Sequence, residues 1–224
     1  MSSVKENSRK IEQMLNLSLE KSNRKRSDVQ VIAVTKSVSS EQALAAIEEG
    51  YDHLAENRPE GLDLKQKELN DQRLVWHFIG NLQTRKVKKV INKIDYFHAL
   101  DRLSLAEEIE KRAEKSVSCF VQVNVTGEET KSGISPNQLD DFIKSLSQYS
   151  KIKVVGLMTI APLNASETVI RSAFVVLRKL QESIKDKALP YAPCTELSMG
   201  MSKDYTIAVE EGATFVRIGT SFFE

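Results

Sequence analysis

The chain has 224 residues, 41% of them hydrophobic and only 5 of them Pro, enough for one full-sized core and short for two ordinary domains. Its 32 Lys and Arg against 31 Asp and Glu leave a net charge of +1, which gives no global pull toward nucleic acid or an anionic membrane. Cys119 and Cys194 form no CxxC pair or metal-spaced cluster, no segment reaches the roughly 18 consecutive apolar residues of a membrane span, and the polar N-terminus lacks a signal-peptide core; a cytoplasmic protein is expected.

Residues 2–26 carry Val4, Ile11, Leu15 and Ser18 near heptad spacing with charges between them, which predicts a leading helix packed on the body. Short β-like runs then alternate with helical stretches. The strands are expected at 29–35, 51–56, 74–79, 95–100, 118–125, 153–158, 195–199 and 213–218. Helices are expected from about Ser40, Pro59, Thr84 and Leu103, and over 136–148, 167–185 and 204–210. Eight βα units without a Gly/Pro-rich linker predict an α/β fold of one domain over 1–224: a (β/α)8 TIM barrel with an extra N-terminal helix, ending at its eighth strand. An open doubly wound sheet is the alternative.

Lys36 closes the apolar run Val29 to Thr35 and precedes a Ser-rich helix start. A buried parallel strand would deliver its amine into a helix-capped crevice as a carbonyl-capturing nucleophile; snorkelling to water is the plainer reading. Barrel closure would put strand 8 beside strand 1. The turns Ser198-Met199-Gly200-Met201-Ser202 and Gly219-Thr220-Ser221 would then share a mouth with Lys36, offering NH groups and hydroxyls suited to a phosphate. Arg217 stands in Thr214-Phe215-Val216-Arg217-Ile218, where a buried strand normally carries an apolar residue, and needs a buried acceptor. By parity it shares a face with Phe215 and Gly219; a structural ion pair with a glutamate and a ligand contact both remain open. His53 and His98 read as satisfied core histidines, Cys119 as a buried strand residue, Cys194 as a loop thiol and Tyr205 as helix packing. The basic runs 21–26 and 85–89 lack interleaved aromatics and read as solvated helix faces, so no nucleic-acid or membrane partner is expected.

Ala33-Val34-Thr35-Lys36, Glu56-Asn57, Trp76-His77-Phe78-Ile79-Gly80-Asn81-Leu82-Gln83, Val123-Asn124-Val125 with Lys131-Ser132-Gly133, Gly156-Leu157-Met158-Thr159, Leu197-Ser198-Met199-Gly200-Met201-Ser202 and Val216-Arg217-Ile218-Gly219-Thr220 together resemble the pyridoxal phosphate homeostasis protein family. The resemblance runs through nearly the whole chain. It implies a barrel of the alanine racemase fold type (PLP fold type III) that binds pyridoxal 5′-phosphate (PLP), with Lys36 as the Schiff-base lysine. It further implies phosphate-binding turns at Ser198, Met199, Gly200, Gly219 and Thr220, Arg217 facing the pyridine nitrogen, and Asn57, His77 and Met158 lining the pocket. An arginine there disfavours protonation of the ring and restrains carbanion chemistry. The sequence ends at Glu224 without the second domain that supplies a tyrosine to racemases of this fold type. The expected role is therefore PLP homeostasis or carriage by a monomer, with apo-PLP enzymes as recipients. A racemase-like enzyme and a class I aldolase using Lys36 are the alternatives.

Overall fold

Eight parallel strands close into a barrel in the order β1-β2-β3-β4-β5-β6-β7-β8 in the computed structural model, which describes residues 3–128 and 131–224. The strands are β1 (Gln30–Val34), β2 (His53–Glu56), β3 (Val75–Phe78), β4 (Tyr96–Leu100), β5 (Val117–Gln122), β6 (Ile152–Met158), β7 (Glu196–Met201) and β8 (Phe215–Ile218). β8 pairs with β1 from Gln30↔Phe215 to Ala33↔Ile218. The expected barrel, rather than the open sheet, is what forms. Its helices are α1 (Val4–Lys21), α2 (Ser40–Glu48), α3 (Pro59–Leu69), α4 (Val87–Val90), α5 (Leu103–Arg112), α6 (Leu139–Ser145), α7 (Glu167–Lys185), α8 (Tyr205–Glu210) and α9 (Thr220–Phe223).

Local chemistry explains most boundaries. Ser3 with Glu6 and Ser39 with Gln42 form capping boxes at α1 and α2, each satisfying two orphan backbone donors. Pro59 starts α3 with its φ pre-set, and Asn70 ends it in a left-handed conformation at φ 39°. Ser166 caps α7. The expected leading helix forms as α1, although residue 2 lies outside the described residues. Ile11, Leu15 and Leu19 are its buried stripe, packed over α8 and α9, each side chain contributing about 1.5–3 kcal/mol of burial.

Several expectations change. β1 stops at Val34, so Lys36 occupies the following turn instead of the strand end, and it is exposed, as the plainer of its two readings has it. The helix expected from Thr84 is a short α4 between two 3-10 turns, where Val87, Val90 and Ile91 are β-branched and weak helix formers. The helix expected over 136–148 is likewise α6 flanked by 3-10 turns. β5 ends at Gln122, and Val123 joins Ile134 through an isolated bridge. The chain continues past β8 into α9. Cys194 is buried, as is Cys119, and burial pushes both thiols up to about 12. The basic run at 21–26 is partly committed to the fold: Arg24 donates to the carbonyls of Val209 and Ala213, and Arg26 grips Glu12 with two nitrogens. Among the described residues no helix is long and apolar enough to cross a membrane.

Candidate functional site

The C-terminal ends of β7, β8 and β1 meet at one mouth. Arg217 pairs with Ile32 in the sheet, and a Cβ built on Gly219 would lie 3.3 Å from the Val34 carbonyl oxygen. The turn after β8 is therefore flush against the end of β1, two residues before Lys36. Ser202 ties the two turns together: its Oγ accepts the NH groups of Gly219 and Ser221, both at 3.2 Å, and Ser221 Oγ donates to its carbonyl at 3.3 Å. Lys36 and Thr220 are exposed at this mouth, and Lys36 Nζ makes no hydrogen bond or ion pair with the described residues. Gly200 takes φ 91°, and a Cβ there would sit 2.5 Å from Ala208 Cβ, so only glycine lets β7 turn into α8. Met199 is fully buried beside it.

Arg217 points into the barrel, on the face of Phe215 as parity predicts. Its Nη1 donates to Ser198 Oγ at 2.5 Å and its Nη2 to the Thr159 carbonyl at 3.0 Å. Among the described residues no glutamate pairs with it; Asp204 supplies a compensating charge. Burial pulls the guanidinium down to about 10, so it stays cationic at neutral pH. Ser198, expected on a phosphate turn, has its hydroxyl inside the barrel, between Arg217 and His98 Nδ1 at 2.9 Å. From there His98 Nε2 meets His77 Nδ1 at 2.8 Å, and His77 Nε2 meets His53 Nδ1 at 2.9 Å. These are all 3 histidines of the chain. His77 thus lies in the barrel interior beneath the mouth, coupled to Arg217 through two side chains. Phe120 stacks on His98, Tyr96 stacks on His77, and Phe215 lies against all three rings.

A second buried cluster stands under Lys36. Glu56 Oε1 accepts from Thr35 Oγ1 at 2.7 Å and pairs with Lys65 Nζ at 2.8 Å. Asn57 follows it at the mouth; Gly80 packs so closely that its Cβ would fall 2.6 Å from the Asn57 carbonyl oxygen. Met158 is buried at the end of β6. A cavity of about 210 Å³ opens beside these ends, lined by Ile79, Asn81, Gln122, Asn124, Thr159 and Ile160 among others, and Thr159 links it to Arg217. A larger hollow of about 340 Å³ lies at the opposite end of the barrel, around Asp95 and Tyr96, the face where barrel residues ordinarily serve stability.

The structure brings Lys36, Gly219 and Thr220 to one rim and sets Arg217, Ser198 and His77 below it. Sequence reasoning did not find the roles of His53, His98, Thr159, Ser202, Glu56 and Lys65. His77 and His98 are pushed well below the usual imidazole range, chiefly by burial, so they remain neutral in the fold while the unfolded chain protonates below about pH 6.5. The unfolded state then binds more protons, and stability falls with falling pH. The urea midpoint should drop between pH 7 and 5, with each of the two histidines contributing up to about 1.4 kcal/mol per pH unit. A flat urea midpoint over that interval would mean that the interior histidines are protonated in the fold.

Residues 9–224 match the family model described as alanine racemase, N-terminal domain. The chain is 40% identical over 210 residues to a pyridoxal phosphate homeostasis protein of Aquifex aeolicus, covering 91% of this chain and 90% of the relative. The solved structure of PipY from Synechococcus elongatus with PLP bound is similar at TM-score 0.82 and 32% identity, over 94% of this chain and all of that one. Alanine racemase from Corynebacterium glutamicum shares the fold at TM-score 0.76 and 12% identity, over 98% of this chain and 59% of its own. With its barrel closed, and with the family model and a curated relative matching it over most of its length, the chain belongs to the pyridoxal phosphate homeostasis protein family.

Proposed function

We propose that this barrel binds PLP reversibly at its mouth, tethered by Lys36, and serves PLP homeostasis in the cytoplasm, without fast turnover. The observation that carries the reading is an exposed Lys36, unpaired among the described residues, beside the interlocked turns after β7 and β8, with the cationic Arg217 buried below. The donor set fits the cofactor: a primary amine for its aldehyde, an arginine for its ring nitrogen, and for its phosphate the exposed Thr220 together with the Gly219 and Ser221 N–H groups, which a phosphate would take over from Ser202 Oγ. A bound PLP would supply an aldehyde that condenses with amines and an electron-withdrawing ring.

The chain's own residues set the limits. Met199 and Gly200 shape the strand-7 side of the cradle, while Asn57 and Met158 border the pocket. Ser198 and His77 act through Arg217. Because Arg217 keeps its proton near neutral pH, it can donate a hydrogen bond to a ring nitrogen but leaves that nitrogen unprotonated. This favours holding the cofactor over carbanion chemistry. Recipients would be apo-PLP enzymes, with the barrel acting as one domain and a monomer.

The test is an absorption titration of purified protein with PLP, followed by borohydride reduction and peptide mapping. A visible band is expected that borohydride bleaches, leaving the cofactor fixed to the Lys36 peptide as a secondary amine. Protein that carries no such band once excess PLP has been removed sinks the reading, and rapid exchange of an amino acid's α-hydrogen with solvent would replace the carrier by an enzyme.

A further inference from the structure

The three histidines climb the barrel wall as a staircase. Ala55 is level with His77, so His53 stands two residues lower on β2; His77 is level with Tyr96, so His98 stands two residues higher on β4. A two-residue step preserves parity, and all three rings therefore point inward. The stagger of neighbouring strands in the closed barrel turns three separated residues into a continuous line from the barrel floor to Ser198 and Arg217.

The hydrogen positions along this line follow from its upper end. Guanidinium nitrogens only donate, so Ser198 Oγ must accept from Arg217 Nη1. The hydroxyl's own hydrogen then has one acceptor within reach among the described residues, His98 Nδ1. His98 must carry its proton on Nε2 and donate it to His77 Nδ1. His77 in turn carries its proton on Nε2 and donates to His53 Nδ1, leaving His53 Nε2–H for the floor. His98 and His77 each use their one donor and one acceptor once, and His53 uses its acceptor.

We propose that His53, His77 and His98 are positioning residues for Arg217, forming with Ser198 a one-directional hydrogen-bond relay that couples protonation of His53 at the barrel floor to the seating of the guanidinium at the mouth. If His53 gains a proton, both of its nitrogens carry hydrogen, and His77 Nε2 must become an acceptor. His77 and His98 each then move their single proton from Nε2 to Nδ1, and one proton is gained in all. His98 Nδ1–H now points at Ser198 Oγ, which already receives Arg217 Nη1 and has no other acceptor for its own hydrogen among the described residues. Ser198 Oγ has lone pairs for both donors, but the donor role that Arg217 imposes on its hydroxyl is lost and that hydrogen is stranded; protonation at the floor and the Arg217-oriented Ser198 hydroxyl therefore oppose each other, and the coupling is reciprocal.

The surroundings supply the charges for such a device. Burial works against a cationic His53 and holds it below the usual imidazole range, while Asp52 and Asp95 partly offset that cost, and the half-buried Tyr96 and Glu196 stand nearby. His77 faces the other two imidazoles and the Tyr96 ring. At the top, Arg217 opposes any charge on His98, and Asp204 offsets Arg217. What the relay does for a cofactor rests on reading Arg217 as its ring-nitrogen partner; the relay itself does not.

The test is imidazole 15N NMR on tag-free, cofactor-free protein labelled in histidine, where the only signals are these three rings. At pH 7.5 all three should be neutral Nε2–H tautomers. In Ser198→Ala, which removes the donor that orients the line, the titration midpoint of His53 should rise by about 0.5–1 pH unit. An Nδ1–H tautomer or an imidazolium among the three in the wild type would overturn the relay, as would an unchanged His53 midpoint in folded Ser198→Ala. Should that variant not fold, the wild-type tautomers decide alone. Because no cofactor is present, a failure to bind PLP would leave these spectra as they are and is read separately.

Discussion

Lys36→Ala should abolish the visible band and all borohydride-stable attachment of PLP at the mouth, while the unfolding midpoint stays where it was. The side chain is exposed and bonded to nothing among the described residues, and surface substitutions of that kind usually move stability by no more than about 0.5 kcal/mol. Lys36→Arg sharpens the test. It keeps the positive charge, so it retains electrostatic attraction for a phosphate, but a guanidinium stays protonated and does not condense with an aldehyde. Weak, non-covalent PLP binding without the band is the expected result for that variant. Lys203 is the competing amine, exposed in the turn after β7. A reduced adduct that persists in Lys36→Arg and maps to Lys203 would show that the mouth is the site but the tether is misassigned.

The βα rhythm was readable because a two-sided buried strand leaves a continuous apolar run, as in Val31-Ile32-Ala33-Val34, and because caps such as Ser39 and Ser166 are local signals. Lys36 and Arg217 stood out as charges in apolar runs. Their surroundings did not, since Arg217 finds Ser198 and the Thr159 carbonyl across strands, and those partners depend on a bulge between Ser198 and Met201 that no local pattern announces. The histidines were separately unremarkable. Only the register of β2 on β3 and β3 on β4 brings His53, His77 and His98 into line. For Lys36 the apolar run leaves a crevice-facing and a water-facing amine both open; the outcome is decided at Thr35, whose N–H is bonded to the Ala55 carbonyl and whose hydroxyl donates to Glu56, so that the chain turns outward at Lys36.

That carboxylate gives the largest expected loss of stability. Glu56→Ala should destabilise the protein by about 3–5 kcal/mol in urea or thermal unfolding, because Lys65 would keep its ammonium buried without a partner. Glu56 and Lys65 expose only 2% and 6% of their side chains, so water cannot replace the lost oxygen. Glu56→Gln should cost less, since its amide oxygen can still accept from Thr35 and Lys65. The informative variant is the double replacement Glu56→Leu with Lys65→Met. Removing both charges should recover most of the stability lost in Glu56→Ala, as apolar groups of similar volume replace buried pairs at little cost. It does not restore the acceptor at Thr35, the residue that anchors the turn carrying Lys36. A double variant as stable as the wild type yet slower to capture PLP would assign Glu56 the task of holding that turn; capture at the wild-type rate would reduce the cluster to a packing element between β2 and α3.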